Sequence, residues 1–336
     1  MDESPLLELR NLSTHYISQG GSRVVRAVDD VSLSLRAGET LGIVGESGSG
    51  KSTLALSMMR VLPPAARITN GQLLLNGEDL VPKSDDEMRH IRGKRIAMIL
   101  QDPMASLNPL FTIGDQVGEP LRLHEGASRR SAWERAIGLL KAVRIPSPET
   151  RVKQYPHEMS GGMRQRIVGA IGISCEPRLL IADEPTTSLD LTIQAQYLKL
   201  LRDLQAEHNL GLIFITHNLG IVARMCDQLA VMYAGRIVET GPVSDVFNRP
   251  AHPYTAALLR SIPRMTQARE RLTAIEGQPP DPSTLPPGCA FANRCPSAFD
   301  RCRREAPPVM DVAPGRTARC WLVEDQALPV ATRGAA

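Results

Sequence analysis

The sequence predicts an α/β protein built on a mostly parallel β-sheet. Its clearest signal is a series of short apolar runs separated by segments of helix length: Leu41–Val44, Ile96–Leu100, Leu179–Ala182 and Leu212–Ile215. Runs without polar alternation are typical of strands buried on both faces. Because strands that alternate with helices usually pair in parallel, these runs predict one sheet covered by helices.

The remaining segments predict what surrounds this sheet. Apolar and polar residues alternate around Leu7–Leu9 and Val31–Leu35, which indicates antiparallel strands with one exposed face. Over about residues 102–160 strand-like runs are absent and apolar residues recur at helical spacing, so we expect an inserted helical subdomain. Gln228–Glu239 predicts a hairpin, and the five prolines of Gln278–Gly288 predict an irregular lobe.

Length, charge and composition narrow the function classes. The 336 residues favour about two domains. The net charge is only +3 and aromatic residues make up 4%, so a nucleic-acid partner is not expected. The acidic start lacks the order of a secretory signal, and no apolar run approaches the ~20 residues of a membrane-spanning helix. We therefore expect a cytoplasmic protein, and any role at a membrane should depend on a partner protein.

A glycine-rich segment carries the first chemical signal. Gly45–Ser52 fits G-x-x-x-x-G-K-[ST] and stands between a predicted buried strand and a helix. In such a loop, backbone N–H groups bind phosphates, Lys51 reaches the β and γ phosphates, and Ser52 binds Mg²⁺. A dinucleotide motif is disfavoured, because Thr53 stands where its third glycine would be. The predicted ATP-binding residues here are Gly45, Ser47, Gly48, Ser49, Gly50, Lys51, Ser52 and Thr53.

Two adjacent carboxylates end the strand predicted at Leu179–Ala182. Because successive residues of an extended chain point in different directions, Asp183 can hold the metal ion while Glu184 faces the γ-phosphate and a water molecule. A strand that ends in Asp-Glu is also common as a solvated strand end. The phosphate loop upstream favours the chemical interpretation, in which Asp183 binds and Glu184 activates.

Small residues before an apolar helix make a second anion site. Ser160-Gly161-Gly162-Met163-Arg164-Gln165-Arg166 places Ser160 and two glycines at a predicted helix N-terminus. The segment resembles the signature motif of ATP-binding cassette (ABC) proteins, with Met159 where leucine is usual. The resemblance implies that Ser160, Gly161, Gly162 and Gln165 of one subunit close over ATP held by another. A single chain is then half of an active site.

Other positions match the cassette family one by one. Gln101 follows a predicted strand and resembles the glutamine that senses the metal ion and the attacking water. The segment Ser188–Asp190 resembles the loop that crosses the dimer interface, which implies that Asp190 lies at that interface. His217 resembles the switch histidine that contacts the γ-phosphate. Asn218 follows where aspartate is common, and we expect it to loosen that loop.

The cassette resemblance covers about residues 5–260. It implies a RecA-like core with an antiparallel β subdomain and the inserted helical subdomain. Tyr16 is the candidate to stack on adenine; the alternative is an ordinary strand aromatic. We therefore predict a nucleotide-binding domain over residues 1–260 and a C-terminal extension over residues 261–336.

The tail narrows the family. His252–Thr255, then Ile275–Pro280, then a cysteine-bearing lobe resemble the ATPase subunits of dipeptide and oligopeptide permeases, although His252 alone is explained equally well as a helix cap. The resemblance implies a head-to-tail dimer with a second ATPase subunit, either a paralogue or a copy. It also implies two transmembrane permease subunits, an extracytoplasmic solute-binding protein reached indirectly, and a peripheral location on the cytoplasmic face of the inner membrane.

Four of the six cysteines form C-x5-C-x6-C-x17-C: Cys289, Cys295, Cys302 and Cys320. Disulfides are not expected in a reducing compartment, so these thiols indicate a metal site. Zinc is less favoured than an iron–sulfur cluster because C-x2-C pairs are absent from the motif. The resemblance implies a [4Fe-4S] cluster, with zinc and unliganded thiols as alternatives. Since the lobe is poor in apolar residues, we expect the metal to fold it.

The predicted function is ATP hydrolysis with Glu184 as general base, coupled to import of short peptides. A soluble cassette ATPase acting on nucleic acid or ribosomes is the alternative from another class, disfavoured by the near-neutral charge and the single cassette. A non-hydrolysing interaction module would predict damage at Lys51, Glu184 or His217, and all three are intact. The cargo stays open among dipeptides, oligopeptides, antimicrobial peptides, nickel chelates and other small solutes.

Overall fold

The predicted buried strands are present in the computed structural model, which describes residues 4–18, 20–21, 23–187, 189–262 and 275–324. The strands are β1 (Leu7–Ile17), β2 (Val24–Leu35), β3 (Thr40–Val44), β4 (Ala66–Leu75), β5 (Glu78–Asp79), β6 (Ile96–Ile99), β7 (Leu179–Asp183), β8 (Gly211–Ile215), β9 (Gln228–Tyr233), β10 (Arg236–Pro242), β11 (Met310–Ala313) and β12 (Arg316–Ala318). The helices are α1 (Lys51–Met59), α2 (Asp85–Ile91), α3 (Pro103–Ser106), α4 (Ile113–Glu125), α5 (Arg129–Ala142), α6 (Pro148–Arg151), α7 (Gly161–Ile173), α8 (Leu191–His208), α9 (Leu219–Met225), α10 (Val243–Asn248), α11 (Pro253–Arg260) and α12 (Asp300–Arg304). The four predicted buried runs correspond to β3, β6, β7 and β8.

The chain divides into two units. The first unit holds the described parts of residues 1–7, 35–39 and 75–214, and the second holds those of residues 8–34, 40–74 and 215–336. The tail belongs to the second unit, together with the phosphate loop. The predicted domain boundary at residue 260 stays a prediction.

The first unit is built on strands in the order β8-β7-β6. Ile96–Ile99 of β6 pairs in parallel with Leu179–Ala182 of β7. Every residue of β7 and of β8 is buried. Both faces of these strands are therefore covered, which agrees with their unbroken apolar sequences.

The helices predicted over residues 102–160 belong to this unit, and every regular element in that range is helical. In α5, Ser128 caps the first turn by accepting a hydrogen bond from a backbone N–H three residues on (3.2 Å). Ala132, Ala136 and Leu140 recur every four residues and form its buried stripe. The stripe and the cap together explain why this segment is a helix that packs on α4 and α7.

The second unit contains two groups of strands. In one group β2, β1 and β4 are neighbours in that order, and β4 is a strand that the sequence patterns did not predict. In the other, β3 pairs in parallel with β9, and β9 pairs antiparallel with β10. The turn between β9 and β10 has positive φ at Ala234 (47°) and Gly235 (83°). These values fit the tight reversal of the predicted hairpin.

The tail is more ordered than the sequence predicts. Residues 275–290 contain no helix or strand, in agreement with their prolines. However, β12 pairs antiparallel with β10 and with β11, and Phe291 and Trp321 are only 1% and 7% exposed. Phe291 joins the hydrophobic core of the second unit, so burial of apolar area contributes to the packing of the tail. That a metal is needed to fold the lobe stays a prediction.

A buried ion pair holds β12 in place. Glu239 of β10 and Arg316 of β12 have side chains 0% and 5% exposed, with 3.1 Å between Oε1 and Nη2. Glu239 also accepts hydrogen bonds from the N–H groups of Ala251 (2.8 Å) and His252 (2.9 Å). His252 Nδ1 in turn accepts the Tyr254 N–H at the start of α11 (3.0 Å), which confirms the helix-cap explanation of His252.

Among the helices of the described residues, none is both long enough and apolar enough to cross a bilayer.

Replacing Arg316 by alanine should lower the free energy of unfolding by about 3 kcal/mol, because it leaves the Glu239 carboxylate buried without its cation. The measurement is chemical denaturation of the full chain followed by circular dichroism. Arg304→Ala is the matched control, since Arg304 pairs with Asp300 where the two side chains are 74% and 86% exposed. Equal shifts for the two variants would contradict the role of Arg316.

Candidate functional site

The phosphate loop connects a buried strand to a helix in the second unit. β3 ends directly before the loop, and α1 begins at Lys51. A Cβ at Gly45 would lie 2.1 Å from the Met232 carbonyl oxygen. One at Gly50, where φ is +105°, would lie 2.1 Å from the Ala27 carbonyl oxygen. Both ends of the loop therefore require glycine, because other backbone segments approach them too closely for a side chain.

The Lys51 ammonium lies inside this loop. Its Nζ donates hydrogen bonds to the carbonyl oxygens of Gly45 (2.8 Å) and Glu46 (2.9 Å) and lies 3.4 Å from Ser49 Oγ. The Ser49 N–H also donates to the Glu46 carbonyl (3.1 Å). Lys51 is 7% exposed. A nearly buried cation at the N-terminus of a helix is an arrangement that attracts phosphate.

The other predicted nucleotide residues of this unit surround the start of α1. Ser47, Gly48 and Ser52 are exposed, so the Ser52 hydroxyl is accessible to a ligand. Tyr16 of β1 lies close by, with its Oη 3.4 Å from Thr53 Oγ1. The structure thus brings Tyr16 to the helix that follows the loop, while its stacking on adenine stays a prediction.

The predicted switch histidine follows β8. The Thr216 N–H donates to the Ile43 carbonyl of β3 (3.2 Å), and His217 is exposed. Asn218 Oδ1 accepts two backbone N–H groups in the first turn of α9 (2.9 and 3.3 Å). The expectation that Asn218 loosens this loop is wrong, because asparagine caps a helix about as well as aspartate does.

The two adjacent carboxylates end β7 in the first unit. Asp183 is 6% exposed, and Glu184 is half-buried with a φ of 46°. This left-handed conformation is strained in a non-glycine residue and is typical of functional sites. Glu184 Oε2 accepts hydrogen bonds from Gln101 Nε2 (3.1 Å) and Thr187 Oγ1 (3.0 Å). Two predicted catalytic residues, Gln101 and Glu184, are therefore in direct contact.

The signature segment forms the predicted helix N-terminus in the same unit. Ser160 Oγ caps α7 by accepting a backbone N–H three residues on (3.3 Å). Nothing lies within 4 Å of where a Gly161 Cβ would be, whereas a Cβ at Gly162 would lie 2.7 Å from Ile193 Cγ2. Gln165 is 0% exposed. Its predicted contact with nucleotide on another subunit is contradicted, because a fully buried side chain faces the interior of its own unit.

Asp190 caps α8. Its Oδ1 accepts hydrogen bonds from the N–H groups of Thr192 (3.1 Å) and Ile193 (3.0 Å). Leu191, which follows it, is 83% exposed, and Ser188 lies outside the described residues. Asp190 thus has a structural role, and its predicted position at a dimer interface stays a prediction.

The four clustered cysteines line one small cavity in the second unit, together with His252, Phe291 and Trp321 among others. The Cys289 N–H donates to the Cys302 carbonyl (2.8 Å). Burial is the main cause that raises the pKa of the Cys289 thiol to about 11 and that of Cys320 to about 12, and the neighbouring cysteines contribute to both increases. In the absence of a cation, neutral thiols are therefore the favoured form in this cavity.

The cavity is not a preformed site for a single ion. Over the described ranges, no three His, Cys, Asp or Glu side chains are arranged to hold a metal ion. The zinc alternative and the expected metal-folded lobe therefore find no support in the structure.

Several contacts around the candidate site are absent from the sequence predictions. Glu46 pairs with Arg294 of the tail (2.7 Å), and its N–H donates to Tyr254 Oη (2.9 Å). Thr187 donates to Glu184, as described above. Tyr254 lies in His252–Thr255 and Arg294 lies beside Cys295 in the cysteine-bearing lobe, which are two of the three segments that the motifs marked. The motifs indicate the correct segments, but spacing does not show which side chain reaches the loop.

Two parts of the chain match known protein families. Residues 28–187 match the family described as ABC transporter, and residues 238–302 match the C-terminal region of oligopeptide/dipeptide transporters. The chain is 49% identical to a putative peptide import ATP-binding protein of Brucella melitensis over 332 residues, which are 95% of this chain and 98% of that protein. It is 49% identical to the dipeptide transport ATP-binding protein DppD of Bacillus subtilis over 323 residues, 96% of each.

Solved structures show the same likeness. The ATP-binding cassette MJ0796, in a dimeric post-hydrolysis state bound to ADP and Pi, is 26% identical, with a TM-score of 0.63 over 70% of this chain and 98% of that one. A second dimeric structure of that cassette is 27% identical with the same TM-score and coverage. These similarities confirm the predicted cassette fold.

Proposed function

Because this chain belongs to the ABC transporter family of ATP-binding proteins, we propose that it is the ATP-hydrolysing subunit of an importer of dipeptides or oligopeptides. The observation that carries the proposal is the combination of an intact phosphate loop with a tail of the oligopeptide/dipeptide transporter type. The tail favours peptides over other small solutes and over the nucleic-acid alternative.

The proposed reaction is transfer of the γ-phosphoryl group of ATP to water. Lys51 and the N–H groups of the loop bind the phosphates, and His217 contacts the γ-phosphate. Ser52, Asp183 and Gln101 offer the oxygen donors that Mg²⁺ prefers, and bound Mg²⁺ supplies charge that stabilises the transferred group. Such catalysis is mostly positioning and charge stabilisation.

Glu184 is the proposed general base. Its Oε2 is held by two donors, Gln101 and Thr187, which fix the orientation of the carboxylate. A general base must lie within hydrogen-bond reach of the proton that it accepts, so a fixed orientation favours proton transfer from water. Gln101 is then a positioning residue for Glu184 as well as a metal ligand.

The proposed assembly supplies the rest of the site. Ser160–Gly162 of a second ATPase subunit, a paralogue or a copy, close over the nucleotide in a head-to-tail dimer. Dimers are described for the cassette MJ0796, which supports a dimeric arrangement here. Two transmembrane permease subunits hold the dimer at the cytoplasmic face of the inner membrane, and a solute-binding protein delivers the peptide.

Glu184→Gln should reduce ATP hydrolysis by the assembled transporter at least about 100-fold and retain ATP binding, because the amide cannot accept the proton from water. Lys51→Ala should lose ATP affinity as well, because it removes a charge from the phosphate site. The measurements are steady-state phosphate release and titration calorimetry with MgATP. Glu207→Gln, at the exposed end of α8, is the control. Normal hydrolysis by Glu184→Gln would reject the assignment.

We also propose that the cysteine cavity holds a [4Fe-4S] cluster through Cys289, Cys295, Cys302 and Cys320. The support is that one cavity gathers four thiols in largely apolar surroundings. Four thiolates are the ligand set that such a cluster would require, and these four cysteines would hold it. Its positive irons would offset the cost of ionising thiols whose pKa is raised by burial.

Protein purified without oxygen should be brown and contain about four irons per chain, measured by absorption and metal analysis. Cys302→Ser should lose iron and colour. Cys175→Ser is the control, because Cys175 is buried against Leu121 and Ala132 and does not line the cavity. Iron-free, colourless wild-type protein from such a preparation would contradict the cluster.

A further inference from the structure

Glu46, the residue after the first glycine of the phosphate loop, carries the only side chain of the loop that pairs with the tail among the described ion pairs. We propose that Arg294 is a positioning residue for ATP binding, which acts by holding Glu46 and, through it, the loop. The inference rests on the proposed function, because it assumes that the loop binds ATP.

Arg294 and Glu46 form a bidentate ion pair. Nη1 lies 2.7 Å from Glu46 Oε2, and Nη2 lies 2.9 Å from Oε1. The Arg294 side chain is 5% exposed and that of Glu46 is 26% exposed. A paired, nearly buried guanidinium fixes both the position and the plane of the carboxylate, which a lysine ammonium cannot do.

Arg294 is itself held rigidly by the tail. Its Nε donates to the Glu276 carbonyl (2.9 Å) and Nη2 donates to the Ile275 carbonyl (3.2 Å). Nη1 donates to Tyr233 Oη (3.2 Å), and the guanidinium carbon lies 5.9 Å from the centroid of the Phe291 ring. The guanidinium therefore has one orientation, and Glu46 is held against a fixed support.

Glu46 passes this constraint to the residue that binds phosphate. Its carbonyl accepts hydrogen bonds from Lys51 Nζ (2.9 Å) and from the Ser49 N–H (3.1 Å). Its own N–H donates to Tyr254 Oη (2.9 Å). If the side chain of Glu46 is released, the peptide groups that place the Lys51 ammonium lose one of their anchors. The expected consequence is a weaker phosphate site with the same chemistry.

The tail contacts the loop at a second place. Pro279, Pro280 and Pro282 line one small pocket with Glu46–Ser49 and Tyr233, and the Arg26 N–H donates to the Pro282 carbonyl (3.0 Å). Prolines are stiff because their φ is fixed. The outer side of the loop thus faces a rigid segment next to the Arg294 contact.

A purely structural role, in which Arg294 only attaches the tail, makes a different prediction. Loss of that attachment would lower the melting temperature and leave the affinity of the folded protein for ATP unchanged. The test therefore measures affinity and stability separately in the full chain.

The experiment is titration calorimetry of the full chain with MgATP. Arg294→Ala should raise the dissociation constant about tenfold, and Arg294→Lys should give a smaller increase. Glu46→Gln should weaken binding, and adding Arg294→Ala to it should weaken binding by much less than Arg294→Ala does in the wild type, because Arg294 acts through Glu46. Arg304→Ala, which removes an exposed arginine of the same lobe, is the control and should leave binding unchanged.

Melting temperatures of the same variants show which of them fold; should Arg294→Ala fail to fold, Arg294→Lys and Glu46→Gln carry the test. An unchanged dissociation constant in the folded Arg294 variants overturns the inference. Additive losses in the double variant overturn it too, because Arg294 then acts by another route. In both cases ATP binding by the wild type and its loss in Lys51→Ala would leave the proposed function standing. If the wild type binds no ATP, both fail.

Discussion

The packing of Tyr233, Tyr254 and Phe291 is the interaction on which the phosphate loop depends most. These rings come from the end of β9, from α11 and from the cysteine-bearing lobe of the tail, and all three are at most 1% exposed. Their centroids are 4.5 Å apart for the two tyrosines and 5.4 Å from either tyrosine to Phe291. Tilted and edge-on aromatic contacts of this kind add stability beyond the burial of area.

The polar ends of the same rings meet the loop. Tyr254 Oη accepts the Glu46 N–H, and Tyr233 Oη accepts a hydrogen bond from Arg294. The aromatic cluster therefore positions both the tail and the first half of the loop. Tyr254, Phe291 and Arg294 all fall within residues 238–302, the part that matches the C-terminal region of oligopeptide/dipeptide transporters. This region therefore contacts the phosphate loop directly, through Tyr254 and Arg294.

Local patterns predicted the parts of the site that depend on neighbouring residues. The strand, the glycines and Lys51 follow each other directly, and caps such as Ser160 and Asp190 act on N–H groups two or three residues away. The predicted contact of Gln165 with nucleotide is wrong because the signature pattern does not show which side chains of α7 face the interior.

Contacts between residues that are distant in the chain have no such local sequence pattern. Glu46 and Arg294 are 248 residues apart in the chain, and neither belongs to a periodic pattern that would pair them. β12 has only three residues, and it is stabilised as a strand by β10 and by the buried Arg316–Glu239 pair rather than by its own sequence. Sequence patterns alone therefore indicate less order in the tail than the structure has.

The central claim is that the tail is part of the ATP site, and amide hydrogen exchange of the full chain with and without MgATP tests it most directly. The account predicts that MgATP slows exchange in the loop, residues 45–52, and also in residues 289–295 of the tail, which hold Phe291 and Arg294. Slower exchange in the loop with no change in the tail would contradict the claim.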